Sequence, residues 1–286
     1  MLKKEINLMS YEDILGETGQ IKEIPLTELH EFTKHPYQVR EDKEFEELVQ
    51  SIKEHGILTP GVARERAEGG YELISGHRRK RACEKLGLKA MSVIVKELSD
   101  DEAAILVVDS NVQRRKVFTS EKAKAYALKY EAMRHQGKIG GSSLEAMGEL
   151  LGENAKKIQR YIWLSRLKDE LLEKVDARQI PFVAGVELSF LSPGQQEIVI
   201  GAIDKTGCGR IDRQKALKLK DAANKNVLDE KTAEEILLVK TTVVRDISLD
   251  TKKLEGYFGE GFNQGKAVEL IFELLDKWKE EAGNRS

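Results

Sequence analysis

Between an apolar run at residues 71–75 (Tyr-Glu-Leu-Ile-Ser) and a helical pattern at residues 79–86 stands Gly76-His77-Arg78-Arg79-Lys80-Arg81-Ala82. The first run reads as a strand, and the helix stops at Gly87. A glycine and a knot of cations therefore sit where a strand hands over to a helix. The first turn of a helix leaves backbone N–H groups without intrahelical partners, and the helix dipole adds partial positive charge there. Glycine lets a ligand approach the backbone, and arginine adds a planar fork that matches phosphate oxygens. The turn thus constrains the chain to an α+β unit with a site suited to a polyphosphate. The plainer alternative is a solvated cationic helix face.

Lys and Arg total 47 against 49 Asp and Glu, a net charge of −2, so the chain is no blanket polycation. Nucleic acid is not thereby excluded, because screening limits charge effects to about 8 Å at physiological salt and local patches decide. Two cysteines, Cys83 and Cys208, are too few for a disulfide framework or a thiolate metal site. The histidines lack metal-ligand spacing, and there is neither a membrane-length apolar run nor a signal-peptide pattern. The expected location is cytoplasmic.

Residues 1–20 read as a loosely held arm, and residues 21–29 as a strand. His35-Pro36-Tyr37-Gln38-Val39-Arg40 reads as a loop set by the proline. An amphipathic helix is expected over 42–55, with Phe45, Leu48, Val49 and Ile52 at helical spacing and Gly56 as its stop. Residues 62–66 and 71–75 flank Glu68-Gly69-Gly70, a hairpin signal. A strand over 91–95 follows the cationic helix. Ser99 and Glu102 form a capping box for a further helix carrying Ala104, Ile105, Val107 and Val108. That helix runs into Asp109-Ser110-Asn111-Val112-Gln113-Arg114-Arg115-Lys116, a polar and cationic end that could return to the phosphate site.

From Thr119, expected as an N-cap, the chain turns helical. Ala123, Tyr126, Ala127, Tyr130 and Met133 form an apolar stripe, broken at residues 137–141. Residues 142–164 read as a helix-turn-helix. Gly148 is small where two helices cross, Gly152 supplies the turn, and Ile158 and Tyr161 point inward. That leaves Asn154, Lys156, Lys157, Gln159 and Arg160 outward, types suited to phosphates and base edges. Short helices punctuated by Pro181 and Pro193 fill 166–240, with a basic stretch at Arg210, Arg213, Lys215, Lys218 and Lys220 read mainly as a solvated face. A β-like run at 242–249 precedes a helix over 264–280 with Val268, Ile271, Phe272, Leu275 and Trp278 on one face, a segment that needs a partner surface and favours self-association.

The ordered series HPYQVR (35–40), GHRR with Arg81-Ala82 (76–82), SNVQR (110–114) and the helix-turn-helix resembles the ParB family of chromosome and plasmid partition proteins over residues 21–200. The resemblance implies an N-terminal arm (1–20) that contacts a ParA-type ATPase. After it come a nucleotide-binding α+β domain with a small mixed sheet (21–116), an all-α helix-turn-helix domain (117–240) and a small C-terminal α/β dimerisation segment (241–286). It implies a homodimeric clamp on double-stranded DNA at a palindromic, centromere-like site, gated by CTP with Mg2+. By position, Gly76, His77, Arg78 and Arg79 match the triphosphate cradle, Gln38 and Arg40 the first nucleotide motif, and Asn111 and Arg114 the third. Asn111 would help hold the metal.

Two departures stand out. His77 replaces the usual glutamate after the glycine, and a histidine can still bond a phosphate. Ser110 replaces a glutamate that supports hydrolysis in the family. A serine hydroxyl has no comparable basicity, and losing a general base costs about 10²–10⁴ in rate. Asp109 is turned away by roughly 100° of helix. Binding with slow hydrolysis is the expectation, so the chain is a CTP hydrolase at most. Two alternatives are a plain helix-turn-helix regulator with a degenerate nucleotide site, and an enzyme like the sulfiredoxins or free-serine kinases. The sulfiredoxin cysteine is absent, since Ser75-Gly76 precede His77-Arg78 and Cys83 lies inside the next helix.

Overall fold

The computed structural model describes residues 20–111, 117–136, 142–239, 255–257, 259 and 263–283. The chain divides into two compact units, 1–240 and 241–286. In the first, a five-stranded mixed sheet has the order β1-β5-β3-β4-β2. β1 (Gln20–Pro25) pairs antiparallel with β5 (Ala90–Val95), which runs parallel to β3 (Gly61–Glu65). β3 pairs antiparallel with β4 (Tyr71–Ser75), and β4 parallel with β2 (Leu29–Glu31). The single strand expected over 21–29 is therefore two strands on opposite sheet edges. Pro25 has no N–H for a ladder, and a 3-10 turn, Leu26–Glu28, carries the chain away from β1. The expected hairpin is present, its glycines Gly69 and Gly70 at φ +93° and +73°.

The sheet is covered on both faces. Helix α1 (Lys43–His55) begins at Asp42, whose carboxylate accepts the Phe45 N–H at 2.9 Å, and stops at Gly56. Its Phe45 and Ile52 pack with Leu73, Met91 and Val93 from the strands and with Ala82 and Cys83 of helix α2 (His77–Lys85). Full burial of Phe45 stabilises by about 1.5–3 kcal/mol. The α2 helix starts two residues earlier than its apolar pattern indicates, directly after Gly76. On the other face, Val62 and Ile74 meet helix α3 (Asp100–Asp109), started by the expected Ser99–Glu102 capping box. Residues 103–108 of α3 are all buried, because β4 lies on one side and helix α4 (Thr119–His135) on the other.

Thr119 is not the cap expected of it. It is the first helical residue, Phe118 holds the cap position, and the Glu121 carboxylate accepts the Phe118 N–H at 2.8 Å. Helices α5 (Ser142–Leu151) and α6 (Ala155–Leu164) follow, then α7 (Asp169–Asp176), α8 (Phe182–Leu188), α9 (Pro193–Thr206), α10 (Arg213–Asn224) and α11 (Glu230–Leu238). Pro181 and Pro193 punctuate this stretch at helix starts, as their fixed φ favours. The basic stretch is partly tied down: Lys220 bonds Glu187 at 2.9 Å and Lys215 the Leu237 carbonyl at 2.6 Å.

In the second unit, helix α12 (Gln264–Gly283) carries the expected apolar face, with Val268, Phe272, Leu275 and Trp278 exposed. The arm at 1–19 and the β-like run at 242–249 lie outside the described residues. No described helix is long and apolar enough to cross a membrane.

Candidate anion cavity and nucleic-acid interface

A cavity of about 450 Å³ opens where β4 meets α2. Gly76, His77, Arg78 and Arg79 line one side, Ser110 and Asn111 at the end of α3 another, and His35 and Val39 a third. Gly76 sits at φ +110°, and a Cβ there would lie 3.1 Å from Met91 Cε and 3.2 Å from the Gly61 backbone. The strand-to-helix turn thus demands glycine on both conformational and steric grounds, and the first turn of α2 borders the cavity.

Protein acceptors aim the two arginines. Arg78 Nη2 donates to Asp42 Oδ1 at 2.8 Å, and this bond holds the Asp42 carboxyl below its ordinary value. One such bond leaves Arg78, with five donors, able to receive an anion as well. Arg79 Nη1 donates to the carbonyls of Thr59 and Pro60, the latter at 2.8 Å. His77 is buried with its ring centroid 3.9 Å from that of His35, the two rings tilted by 45°, while His35 Nδ1 lies 2.7 Å from the Tyr37 carbonyl. That carbonyl can only accept, so Nδ1 carries the proton.

Ser110 Oγ donates to the Val107 carbonyl at 3.1 Å, and Asn111 Nδ2 donates to the same carbonyl at 2.8 Å. The Asn111 amide is thereby oriented, leaving Oδ1 as its acceptor. None of the described residues lining this cavity is a carboxylate. Asp109, next to Ser110, is instead paired with the wholly buried Lys129 of α4. Asp109 is not among the described residues that line the cavity.

Gln38 and Arg40, expected at the nucleotide, do not line the cavity. The Gln38 N–H and Arg40 Nη2 donate to Glu121 Oε1 at 3.0 and 2.6 Å, and the Arg40 guanidinium lies 3.6 Å over the Phe118 ring. Local motif matching could not show that a carboxylate more than 80 positions away would hold this loop. Arg114 lies outside the described residues. The structure therefore gathers Gly76, His77, Arg78, Arg79 and Asn111 around one space and sets Gln38 and Arg40 beside it. Sequence reasoning missed Glu121 and Lys129. The available signal was a lysine on the apolar stripe, three positions past Tyr126 and four before Met133.

Helices α5 and α6, expected to form a helix-turn-helix, are joined through a turn with Gly152 at φ +64°. A Cβ on Gly148 would meet the Glu153 carbonyl oxygen at 2.6 Å, which accounts for the glycine there. Ile158 and Tyr161 are buried as expected. Asn154, Lys156, Lys157 and Arg160 are exposed, and Gln159 is half-buried. Asn154 caps α6, its Oδ1 accepting the Lys157 N–H at 2.8 Å. Lys157 Nζ lies 2.6 Å from Glu153 Oε2, and that bond raises its pKa above the ordinary lysine value. Lys156 and Arg160 are thus the cations on this face for which no ion pair competes among the described contacts. Among the described residues no cluster of three His, Cys, Asp or Glu could hold a metal.

Residues 11–112 match the model of the ParB N-terminal domain. The nucleoid occlusion protein of Geobacillus sp. (strain WCH70) is 30% identical over 210 residues, 73% of this chain and 72% of that one. That of Bacillus cytotoxicus is 33% identical over 179 residues, and the chain spans 59% of its length. Among solved structures, C-terminally truncated ParB of Caulobacter crescentus complexed to the centromeric parS site is similar at 20% identity and a TM-score of 0.39, covering 71% of this chain and 99% of that one. With one domain model matched across the cavity-bearing region and a relative aligned over nearly three quarters of both chains, this chain belongs to the ParB family.

Proposed function

We propose that the chain is a DNA-binding partition or nucleoid-occlusion protein whose N-terminal cavity binds a nucleoside triphosphate, CTP by family expectation, and thereby gates a homodimeric clamp on DNA. The observation that carries this reading is the meeting of Gly76, Arg78, Arg79 and Asn111 around one cavity, in the same compact unit as a helix-turn-helix with an exposed cationic face. The first turn of α2 and the arginine forks suit a polyphosphate tail. Cations on α6 suit the phosphates of a duplex, and its polar side chains suit base edges. The apolar face of α12 suits pairing with a second copy, and the N-terminal arm is assigned to a ParA-type ATPase by family analogy alone.

The donor set bears on Mg2+. Asn111 Oδ1 is a neutral oxygen, and the described residues of the cavity lining include no carboxylate. Magnesium is commonly held by one or two carboxylates together with substrate phosphates and waters. The residues therefore fit an ion that enters on the nucleotide's phosphates, with Asn111 adding one ligand, and do not fit a resident ion. Bound there, it would neutralise phosphate charge. With Ser110 at the position of the family glutamate and Asp109 neutralised by Lys129, nucleotide is bound and turned over slowly.

The test is equilibrium binding of the four ribonucleoside triphosphates to the full chain, with and without genomic fragments recovered by the protein. Nucleotide-dependent cross-linking of N-terminal domains completes it. CTP binding that promotes cross-linking is the expected result. The absence of binding to every triphosphate would favour a plain DNA-binding regulator, a reading to which the engagement of Arg40 and Arg78 by protein carboxylates lends some weight. Phosphate release at the rate of glutamate-bearing relatives would refute the assignment of slow turnover.

A further inference from the structure

Helix α4 carries two charged side chains into the interior, Glu121 at 4% exposure and Lys129 at 0%. Each grips a segment that flanks the cavity. Glu121 accepts from the Gln38 N–H at 3.0 Å and from Arg40 at 2.6 Å, and Val39, between those two, is a cavity wall. Lys129 pairs with Asp109, whose neighbours Ser110 and Asn111 form another wall. Eight residues of helix separate the two grips by about 12 Å. The same helix touches the second helix of the DNA-reading pair: the Tyr126 ring lies 5.2 Å from that of Tyr161 at 73°, and Lys122 lies 3.6 Å from Glu153 in the turn before α6.

We propose that Glu121 and Lys129 are positioning residues for the nucleotide site, through which α4 sets the spacing of two cavity walls and ties it to the seating of α6. The inference rests on the nucleotide reading above. Neither residue lines the cavity, so each acts through its partner. A bar held at both ends cannot shift against α6 without moving residues 38–40 or the end of α3. Nucleotide and DNA affinities then depend on one another, and the dependence is reciprocal. Two purely structural ion pairs would affect stability alone.

The experiment uses the full chain, CTP with magnesium, and the recovered genomic fragments. Three variants are compared with the unaltered protein: Glu121→Gln, its conservative control Glu121→Asp, and the double change Lys129→Met with Asp109→Asn, which removes both members of a buried pair. Calorimetric Kd values for CTP are measured with and without DNA, alongside Tm. The expected result is a CTP Kd raised about tenfold in Glu121→Gln and in the double variant, within the usual span of coupling energies. The ratio of Kd values with and without DNA collapses toward one, Glu121→Asp recovers part of both effects, and DNA affinity without nucleotide stays within about twofold. Variants that lose Tm but keep the CTP Kd and its DNA dependence overturn the inference and leave the nucleotide reading intact. An unaltered protein that binds no triphosphate overturns both. If Glu121→Gln fails to fold, the double variant decides.

Discussion

Replacing Gly148 by alanine sets two opposed effects against each other. Glycine inside a helix is less favourable than alanine by about 0.8–1.0 kcal/mol, so propensity alone makes Gly148→Ala stabilising. But the new Cβ would stand 2.6 Å from the Glu153 carbonyl oxygen, a backbone atom, and ordinary contact begins at 3.4 Å. The turn must move by about 0.8 Å, and overpacking of this kind costs about 1–3 kcal/mol. The displaced residue is already tied to Gly148, whose carbonyl accepts the Glu153 N–H at 3.0 Å. It also immediately precedes Asn154, the cap of α6, and a lost cap costs about 1 kcal/mol more. The net expectation is a loss of about 1–3 kcal/mol, with weaker DNA binding because α6 is reset. Gly201→Ala in α9 is the control, since nothing lies within 4 Å of its Cβ. Its expected effect is the propensity gain alone. Urea unfolding followed by circular dichroism compares the midpoints. If Gly148→Ala is stabilised as much as Gly201→Ala, the close approach of α5 to the turn is wrong.

Other consequences can be checked separately. The Tyr126 phenol is pushed up to about 12, by burial first and then by Glu153 and Tyr161. The folded state therefore keeps its proton above the ordinary value, and the stability this confers is complete below pH of about 10 and lost as pH rises toward 12. Ultraviolet titration should show a late ionising step that belongs to Tyr126, and a Tyr126→Phe variant in which that step persists would refute this. Asp42 is held low by Arg78, so the contact is intact above the ordinary carboxylate range and is lost as pH falls through the lowered value. Carboxyl NMR should show that value rise in Arg78→Met, and an unchanged titration would contradict the pairing. On DNA, Lys156→Ala should reduce the salt slope of log Kd by about one. Lys157→Ala should do less, because Glu153 already holds that lysine. Gln159→Ala and Arg160→Ala should alter sequence preference, and equal effects from all four would misassign the face. Phe45→Ala, at a fully buried position, should cost about 3–5 kcal/mol in unfolding free energy.

Much of the fold was legible locally because its signals are short-range. The hairpin at Gly69–Gly70, the capping box at Ser99, the Gly56 stop and the Gly152 turn between α5 and α6 each depend on neighbours within a few residues, and each stands where its pattern indicates. The misreadings have the same character in reverse. A strand drawn through Pro25 ignored a missing donor, and a cap assigned to Thr119 ignored the carboxylate of Glu121 three residues from Phe118.

By itself, then, the order of residues determined the hairpin, the capping box and the helix stops of the N-terminal sheet region and that a glycine-arginine corner opens α2, since local sterics and periodicity settle those matters. Only the tertiary structure decided that Arg40 turns to Glu121 and Phe118 and not to the cavity, that Asp109 is neutralised by Lys129, and that one helix holds both flanks of the site. Those partners lie between 20 and 81 positions apart in the chain. Which charge meets which at such range is set by packing of the intervening elements, and no local pattern encodes it.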